Sequence, residues 1–185
     1  MCLPFRQSTA YIIGDHSQHE AQMTNPIHPQ ARIGHVHLKV ADLERAITFY
    51  QGVLGFELQQ RLGHHAAFLG AGGYHHHIGL NTWESKGGNP PPHGTTGLYH
   101  TAFLYPDRAS LADALRRIVE AGIPLEGAAD HGVSEAIYLR DPDGNGVELY
   151  RDRPEADWPR DAEGNLQMGT EPLDLQALLA EAPQL

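Results

Sequence analysis

Two histidines stand at matching places in two similar stretches of the sequence, and they are the side chains best suited to metal chemistry. Residues 33–42 read Ile-Gly-His-Val-His-Leu-Lys-Val-Ala-Asp, and residues 98–107 read Leu-Tyr-His-Thr-Ala-Phe-Leu-Tyr-Pro-Asp. When the stretches are laid over each other without a gap, His35 falls on His100, and each stretch ends on an aspartate that begins a helical pattern. Imidazole nitrogens are common metal ligands. We therefore interpret the repeat as two copies of one unit that aim both imidazoles at a shared metal ion.

A carboxylate that could join the two imidazoles lies near the end of the second copy. Side chains of a strand alternate between its faces, so Glu148 lies opposite its apolar neighbours. If each copy curls into a half-barrel, His35, His100 and Glu148 can meet in the cleft between the halves. Such a set leaves several coordination positions open, which suits Fe(II) that binds a substrate and dioxygen together. A structural zinc site would use thiolates, and the chain has a single cysteine, Cys2.

The elements that must position these residues follow the same order in both copies. An alternating strand pattern is followed by a helical pattern, which an aspartate can cap, and then by three strand-like runs. The sequence therefore predicts an α+β fold with two tandem β-α-β-β-β modules that form a curved mixed sheet around a metal cleft. In the first copy these are a strand at 34–40, a helix after Asp42, and strands at 56–61, 65–70 and 74–83. In the second copy they are a strand around His100, a helix after Asp107, and strands at 123–128, 134–140 and 146–151.

Composition and periodicity also predict where the chain divides. A stretch without periodicity is expected to form a mobile arm, and a stretch rich in glycine, proline and polar residues is expected to form a loop between the modules. The predicted parts are the arm at 1–30, the first module at 31–84, the loop at 85–96, the second module at 97–152, and a C-terminal tail at 153–185 with a short helix at about 173–181.

Bulk composition excludes several classes of partner. The formal net charge is −10 without a basic cluster, which disfavours nucleic acid and anionic membranes. No apolar stretch approaches the roughly 20 residues that span a bilayer, and the first residues do not read as a secretory leader. One cysteine excludes an internal disulfide bond. We therefore expect a cytoplasmic protein that acts on a small molecule.

The segment at 141–150, Asp-Pro-Asp-Gly-Asn-Gly-Val-Glu-Leu-Tyr, points to a known family. Its first half is turn chemistry, but the following Gly-Val-Glu-Leu makes it much more specific. Together with the run from His35 to Leu43 and the Phe49-Tyr50 pair, it makes the chain resemble the vicinal oxygen chelate superfamily over about residues 32–152. That superfamily includes glyoxalase I, extradiol ring-cleavage dioxygenases, fosfomycin-resistance enzymes and bleomycin-binding proteins.

The resemblance implies that His35, His100 and Glu148 are the metal ligands, the same three that strand alternation selects. Glyoxalase I has a further ligand in its fourth strand, usually a glutamate. When the two copies are aligned, the partner of Glu148 is Gly79, so that ligand is missing here. The resemblance therefore favours the three-ligand arrangement of catechol 2,3-dioxygenase-like enzymes. His37 is an alternative to His35 as ligand, although the repeat argues against it.

The same resemblance implies groups that would move protons or hold the substrate. Tyr138 lies at the interval before the predicted glutamate ligand at which extradiol enzymes have an active-site tyrosine. The three-histidine run at 75–77 resembles the run that supplies their acid–base histidine. Sequence matching points to His76 and strand alternation to His77, and both stay open. His131 is a further candidate near the mouth of the cleft.

The sequence thus predicts an extradiol-type ring-cleaving dioxygenase that acts on a catechol-like vicinal diol with Fe(II) and O2. Mn(II), Ni(II) and Zn(II) are the alternative metals, because similar ligands suit them. The alternative functions are a glyoxalase-like metal-dependent lyase or isomerase and a metal-free antibiotic-binding protein. Whether the modules pair within one chain or between two chains, which would require a homodimer, is left open.

Overall fold

The first module builds a four-stranded mixed sheet in the computed structural model, which describes residues 26–184. The predicted N-terminal arm, 1–30, therefore lies mostly outside the described residues. The strand order is β1-β4-β3-β2, with β1 parallel to β4 and the other neighbours antiparallel. The elements are β1 (Val36–Lys39), α1 (Leu43–Ile47), a π-helical segment (Thr48–Val53), β2 (Glu57–Leu62), β3 (Ala66–Gly70) and β4 (Ile78–Asn81).

The second module repeats this plan and confirms the predicted α+β class with tandem β-α-β-β-β units. Its first four strands have the order β5-β8-β7-β6, again with the first strand parallel to the fourth. Within residues 26–184, no strand pairing joins the two sheets. The elements are β5 (Thr101–Tyr105), α2 (Arg108–Glu120), β6 (Leu125–Asp130), β7 (Ser134–Arg140) and β8 (Gly146–Asp152).

Both helices begin where the sequence predicts. The carboxylate of Asp42 accepts the backbone N–H of Arg45 at 3.0 Å, and that of Asp107 accepts the N–H of Ser110 at 2.7 Å. Each bond satisfies a donor that the first helical turn leaves without a partner inside the helix. The two helices then differ, because α1 passes into a π-helical turn while α2 continues for 13 residues.

One continuous hydrophobic core joins the two modules on the side of the sheets that carries the helices. Leu38 of β1 and Val40 directly after it face this core, so His35 and His37 project from the opposite side. Burial of each large apolar side chain contributes about 1.5–3 kcal/mol. The fully buried apolar side chains include Leu69, Ile78 and Leu80 of the first module and Leu111, Leu115, Ile118, Ile137, Leu139 and Leu149 of the second.

The turn before β8 ties the second module to the first. The buried carboxylate of Asp141 accepts a hydrogen bond from the Tyr50 hydroxyl at 3.0 Å. The carboxylate of Asp143 accepts the backbone N–H of Ala41 at 2.9 Å and pairs with Arg45 at 2.7 Å. Burial, together with the charge of Asp141, raises the pKa of Tyr50 well above its usual range, so its hydroxyl remains a donor. The two aspartates of the predicted turn, Asp141 and Asp143, therefore also bind the second module to the first.

The C-terminal tail packs on the second module. It contains a 3₁₀ turn (Glu155–Asp157), a short strand β9 (Glu171–Pro172) that pairs with β6, and α3 (Leu175–Leu179), which lies within the predicted helix at 173–181. Leu178 of α3 is fully buried in the core. Within residues 26–184, no helix combines the length and the apolar composition that crossing a membrane requires.

Candidate metal centre

His100 and Glu148 meet at the beginning of the second sheet. The parallel pairing of β5 with β8 brings the start of both strands together, and His100 Nε2 lies 2.8 Å from Glu148 Oε2. Gly146 permits this approach, because a Cβ there would lie 2.1 Å from the Tyr99 carbonyl oxygen. Nitrogen and oxygen ligands of a small divalent ion lie about 2.0–2.2 Å from it, so two adjacent ligands approach each other to about 3 Å. The pair therefore suits two adjacent positions on one ion.

Tyr138 joins these two residues from the neighbouring strand. It lies opposite Glu148 in the pairing of β7 with β8, and its hydroxyl oxygen lies 3.2 Å from Glu148 Oε1. His131 Nε2 lies 2.8 Å from the same hydroxyl oxygen. Burial and the negative charge of Glu148 raise the pKa of Tyr138 to about 12, so the phenol keeps its proton near neutral pH. We call His100, Glu148, Tyr138 and His131 the second-module cluster.

The first module gathers imidazoles instead. The ring centroids of His35 and His76 are 4.6 Å apart, and Nδ1 of His75 lies 2.7 Å from Nδ1 of His76. Burial, followed by the neighbouring imidazole of His35, lowers the pKa of His76. His37 lies on the same face, 5.5 Å from Trp83 between ring centroids. We call His35, His37, His75 and His76 the first-module cluster.

The structure places the two candidates of the three-histidine run in different surroundings. The run lies before β4, because a tight turn with left-handed Gly72 and Gly73 (φ 60° and 76°) delays the strand to Ile78. The strand is thus shorter than the predicted 74–83. His76 lies beside His35, whereas His77 Nδ1 accepts the backbone N–H of Ala71 at 3.3 Å.

Gly79, the counterpart of Glu148, has a specific neighbour. It pairs with His37 on one side and with Phe68 on the other. A Cβ at Gly79 would lie 2.9 Å from His37 Cγ, so the imidazole of His37 already occupies the space that a side chain would need. The fourth strand therefore has glycine at this position because the His37 ring fills the space that a ligand side chain would occupy.

The predicted ligands are brought together in part. His100 and Glu148 are in contact, whereas His35 contacts His76 in the first-module cluster. In the part of the chain that the structure describes, no group of three or more histidine, cysteine, aspartate or glutamate side chains is placed to hold a metal ion. A cavity of about 180 Å³ beside the second-module cluster is lined by His100 and Tyr138, among others. Small-molecule sites usually enclose about 300 Å³ or more, so this cavity offers only part of one.

Sequence reasoning missed the contribution of the tail. His131 Nδ1 lies 2.8 Å from the carbonyl oxygen of Gly169, which precedes β9. The sequence does indicate the turn in this tail, because Asp161-Ala-Glu-Gly-Asn165 repeats the pattern Asp141-Pro-Asp-Gly-Asn145. The repeat predicts a second turn of the same kind, and the structure has one.

Comparison with known proteins identifies the class. A family model described as the Glyoxalase/Bleomycin resistance protein/Dioxygenase superfamily matches residues 32–149. Since this match covers well over half of the chain, the protein belongs to that superfamily. The predicted resemblance, over about residues 32–152, is confirmed.

Individual relatives add detail. The chain is 43% identical over 157 residues to catechol-2,3-dioxygenase of Bacillus subtilis, a match that covers 84% of this chain and 54% of the relative. It is 34% identical to biphenyl-2,3-diol 1,2-dioxygenase 3 of Rhodococcus globerulus, over 65% of this chain and 63% of the relative. The chain thus spans between half and two thirds of the length of these relatives. The crystal structure of lactoylglutathione lyase from Agrobacterium tumefaciens is similar with a TM-score of 0.53 and 29% identity, over 67% of this chain and 96% of that chain.

Proposed function

We propose that the protein is an extradiol-type ring-cleaving dioxygenase that acts on a catechol-like vicinal diol with Fe(II) and O2. The observation that carries the proposal is the convergence of His100, Glu148 and Tyr138, because an imidazole, a carboxylate and a phenol meet there within hydrogen-bond distance. The similarity to two dioxygenases whose names specify aromatic diols supports the same reaction class. We include in the proposal that the protein works in the cytoplasm in the breakdown of aromatic compounds.

The metal would be held by His35, His100 and Glu148. Fe(II), when bound, would supply binding of the diol and of dioxygen and electron transfer between them. The donor chemistry fits, since two neutral imidazoles and one carboxylate leave three positions of an octahedral ion open. Glu148 is mostly buried and supplies the negative charge that the ion needs.

Two residues would handle the protons of the diol. His76 lies beside His35 and has a lowered pKa, so it is neutral near pH 7 and can accept a proton from a diol hydroxyl. Tyr138 lies beside Glu148 and would hydrogen-bond the second diol oxygen. We therefore choose His76 over His77, whose ring is held by the backbone of Ala71.

A second copy of the chain would complete the site. Among residues 26–184, the edge strands β1 and β5 each pair on one side only. Their site faces are open to solvent: His37 is exposed on β1, and Leu104 is 57% exposed on β5. In a two-fold dimer, His35 of one chain would face His100 and Glu148 of the other, which gives two equivalent sites.

Complementation tests this dimer directly. His35→Ala and Glu148→Ala chains should each be inactive alone. In a mixed dimer, one site lacks both residues and the other has both, so coexpression should restore about a quarter of the wild-type activity per chain. If the ligands come from one chain, no activity returns, and the second-copy arrangement is wrong.

The reaction itself is tested by metal analysis of anaerobically purified protein, followed by oxygen uptake with catechol and substituted catechols. We expect about one iron per chain and oxygen consumption that depends on the diol. Nickel, zinc or manganese without oxygen uptake would favour the lyase or isomerase. A protein that binds diols but no metal would favour the binding protein. Iron without oxygen uptake across the diols would contradict the dioxygenase.

A further inference from the structure

We propose that the C-terminal hairpin, residues 159–169, is a positioning element of the second-module cluster. Through the carbonyl of Gly169 it sets which nitrogen of His131 carries a proton, and His131 in turn directs the hydroxyl of Tyr138. The consequence for catalysis rests on the proposed function, whereas the consequence for His131 itself does not.

The hairpin is well ordered by its own hydrogen bonds although it is exposed. The carboxylate of Asp161 accepts the backbone N–H groups of Glu163 at 3.0 Å and Asn165 at 2.8 Å, and the side-chain amide of Asn165 at 3.1 Å. Gly164 takes the left-handed conformation (φ 84°) that closes such a turn. These bonds, and no apolar core, keep the hairpin in one shape.

The hairpin is anchored to the turn between β6 and β7 at two places. A Cβ on Gly132 would lie 2.9 Å from Pro159 Cγ, so the proline packs directly on this glycine. At the other end, the backbone N–H of Gly169 donates to the carbonyl of His131 at 3.1 Å. The carbonyl of Gly169 receives His131 Nδ1 at 2.8 Å. Backbone and side chain of His131 are thus both fixed by one residue of the hairpin.

This anchor determines the direction of the next hydrogen bond. A backbone carbonyl can only accept, so Nδ1 must be the protonated nitrogen of a neutral His131. Nε2 then has a free lone pair and faces the Tyr138 hydroxyl oxygen at 2.8 Å. The single proton of the phenol then has two acceptors within reach, and it points to the nearer one, His131 Nε2, and not to Glu148 Oε1 at 3.2 Å. The phenol oxygen thereby keeps its lone pairs for a hydroxyl of the bound diol. His131 acts through Tyr138 and is a positioning residue.

Nitrogen NMR of the imidazole side chains in the metal-free protein tests the anchor without any activity. We expect His131 to carry its proton on Nδ1, with its signal assigned by its loss in His131→Gln. Asp161→Ala removes the acceptor that shapes the hairpin, and His131 should become a mixture of the two tautomers. Asp161→Asn keeps an acceptor oxygen and should restore the wild-type spectrum.

The matched control is Glu163→Ala. Glu163 lies on the same turn, carries the same charge, and its side chain makes no hydrogen bond or ion pair within residues 26–184. This variant should leave the His131 spectrum unchanged. A proton on Nε2 in the wild type, or an unchanged spectrum in Asp161→Ala, overturns the proposal.

Steady-state kinetics test the consequence for catalysis. Asparagine places its polar atoms near Nδ1 of histidine, and glutamine places them near Nε2, so each keeps one of the two contacts. We expect His131→Asn and His131→Gln each to lower kcat about 10-fold, as is typical for residues that orient a ligand or base. Asp161→Ala acts one step further from the substrate and should lower kcat by less than about 10-fold, with KM for the diol nearly unchanged.

Two outcomes separate this inference from the proposed function. If His131→Gln lowers kcat while Asp161→Ala does not, the hairpin has no positioning role. If the wild-type protein consumes no oxygen with any diol, the dioxygenase proposal is contradicted, and the NMR result still decides whether the hairpin sets the state of His131.

Discussion

The two modules share one backbone plan but place their large polar side chain on different strands. In the second module, a row across the sheet reads Ala102, Glu148, Tyr138, with the small residue on the edge strand and the acid beside it. In the first module, the matching row reads His37, Gly79, Phe68, with the large polar group on the edge strand and the small residue beside it. Besides its aromatic residue, each row thus contains one large polar side chain and one small residue, and the two occupy exchanged strands.

This exchange gives the two modules different chemistry. The second-module cluster holds a carboxylate and a phenol that stays protonated. The first-module cluster holds imidazoles, and the pKa of His37 and of His76 is lowered by burial and by His35. Duplication of one unit has thus produced one half with a carboxylate and one half rich in imidazoles, and the proposed metal site draws on both.

The largest effect is expected when the carboxylate of the second module, Glu148, is removed. Glu148→Gln should lower bound iron from about one per chain to near zero and reduce oxygen uptake by more than about 100-fold, because loss of a ligand exceeds the 10–100-fold effect of changing the residue behind one. Glu120→Gln, which alters an exposed pair with Arg116, is the control. Full iron content in Glu148→Gln would show that the metal lies elsewhere.

The next largest effect is expected from the hydroxyl of Tyr138, because the matching residue of the first row, Phe68, has none. Tyr138→Phe makes the second row resemble the first and should lower kcat about 10- to 100-fold, because a hydrogen bond that involves a charged group contributes about 1.5–3 kcal/mol. Iron content should stay unchanged, because the hydroxyl contacts Glu148 and is not itself a proposed ligand. Tyr105→Phe is the matched control on the same sheet. Equal kcat for the wild type and Tyr138→Phe would argue against a role in the reaction.

Packing in the first row can be tested by a double-mutant cycle. Gly79→Ala should lower the free energy of unfolding by about 1–3 kcal/mol, because the new methyl group meets the His37 ring. In a His37→Ala background the same change should cost almost nothing, since the ring is gone. Urea unfolding of the four proteins gives the coupling free energy. A coupling near zero would mean that His37 does not fill the place of the fourth-strand side chain.

The smallest expected effect is on stability, and it concerns the turn between the second and third strands of each module: the turn between β2 and β3 and the turn between β6 and β7. Burial raises the pKa of Asp130, but the N–H of Gly132 and the charge of Arg153 outweigh burial and hold that pKa below its ordinary value of 3.8. Such a carboxylate stabilises the fold above pH 3.8 and loses this contribution as the pH falls through its lowered pKa. The first-module turn relies on a backbone bond from His65 to Leu62.

Asp130→Asn should therefore have a lower urea midpoint than the wild type near pH 7, and the gap should narrow as the pH falls below 3.8. Gln60→Asn, in β2 next to the first-module turn, exchanges one uncharged side chain for another and should show a gap that does not change with pH. A constant gap for Asp130→Asn at all pH values would assign its effect to packing and not to charge.

Local patterns in the sequence determined much of this protein. Alternation and periodicity predict the eight module strands and both main helices, and Asp42 and Asp107 begin those helices as expected. The duplication and the Asp141–Glu148 segment predict the superfamily, which the family model confirms. These features are predictable because strand alternation, helix caps and turns depend on residues close together in the chain.

Tertiary structure decided what distant parts of the chain do to each other. That His76 and not His77 lies beside His35 depends on where the glycine turn before β4 ends. That His37 fills the space above Gly79 depends on the pairing of β1 with β4. The contact of Gly169 with His131 joins residues far apart in sequence. No local pattern encodes these contacts, because they arise only when packing of the core brings separate elements together.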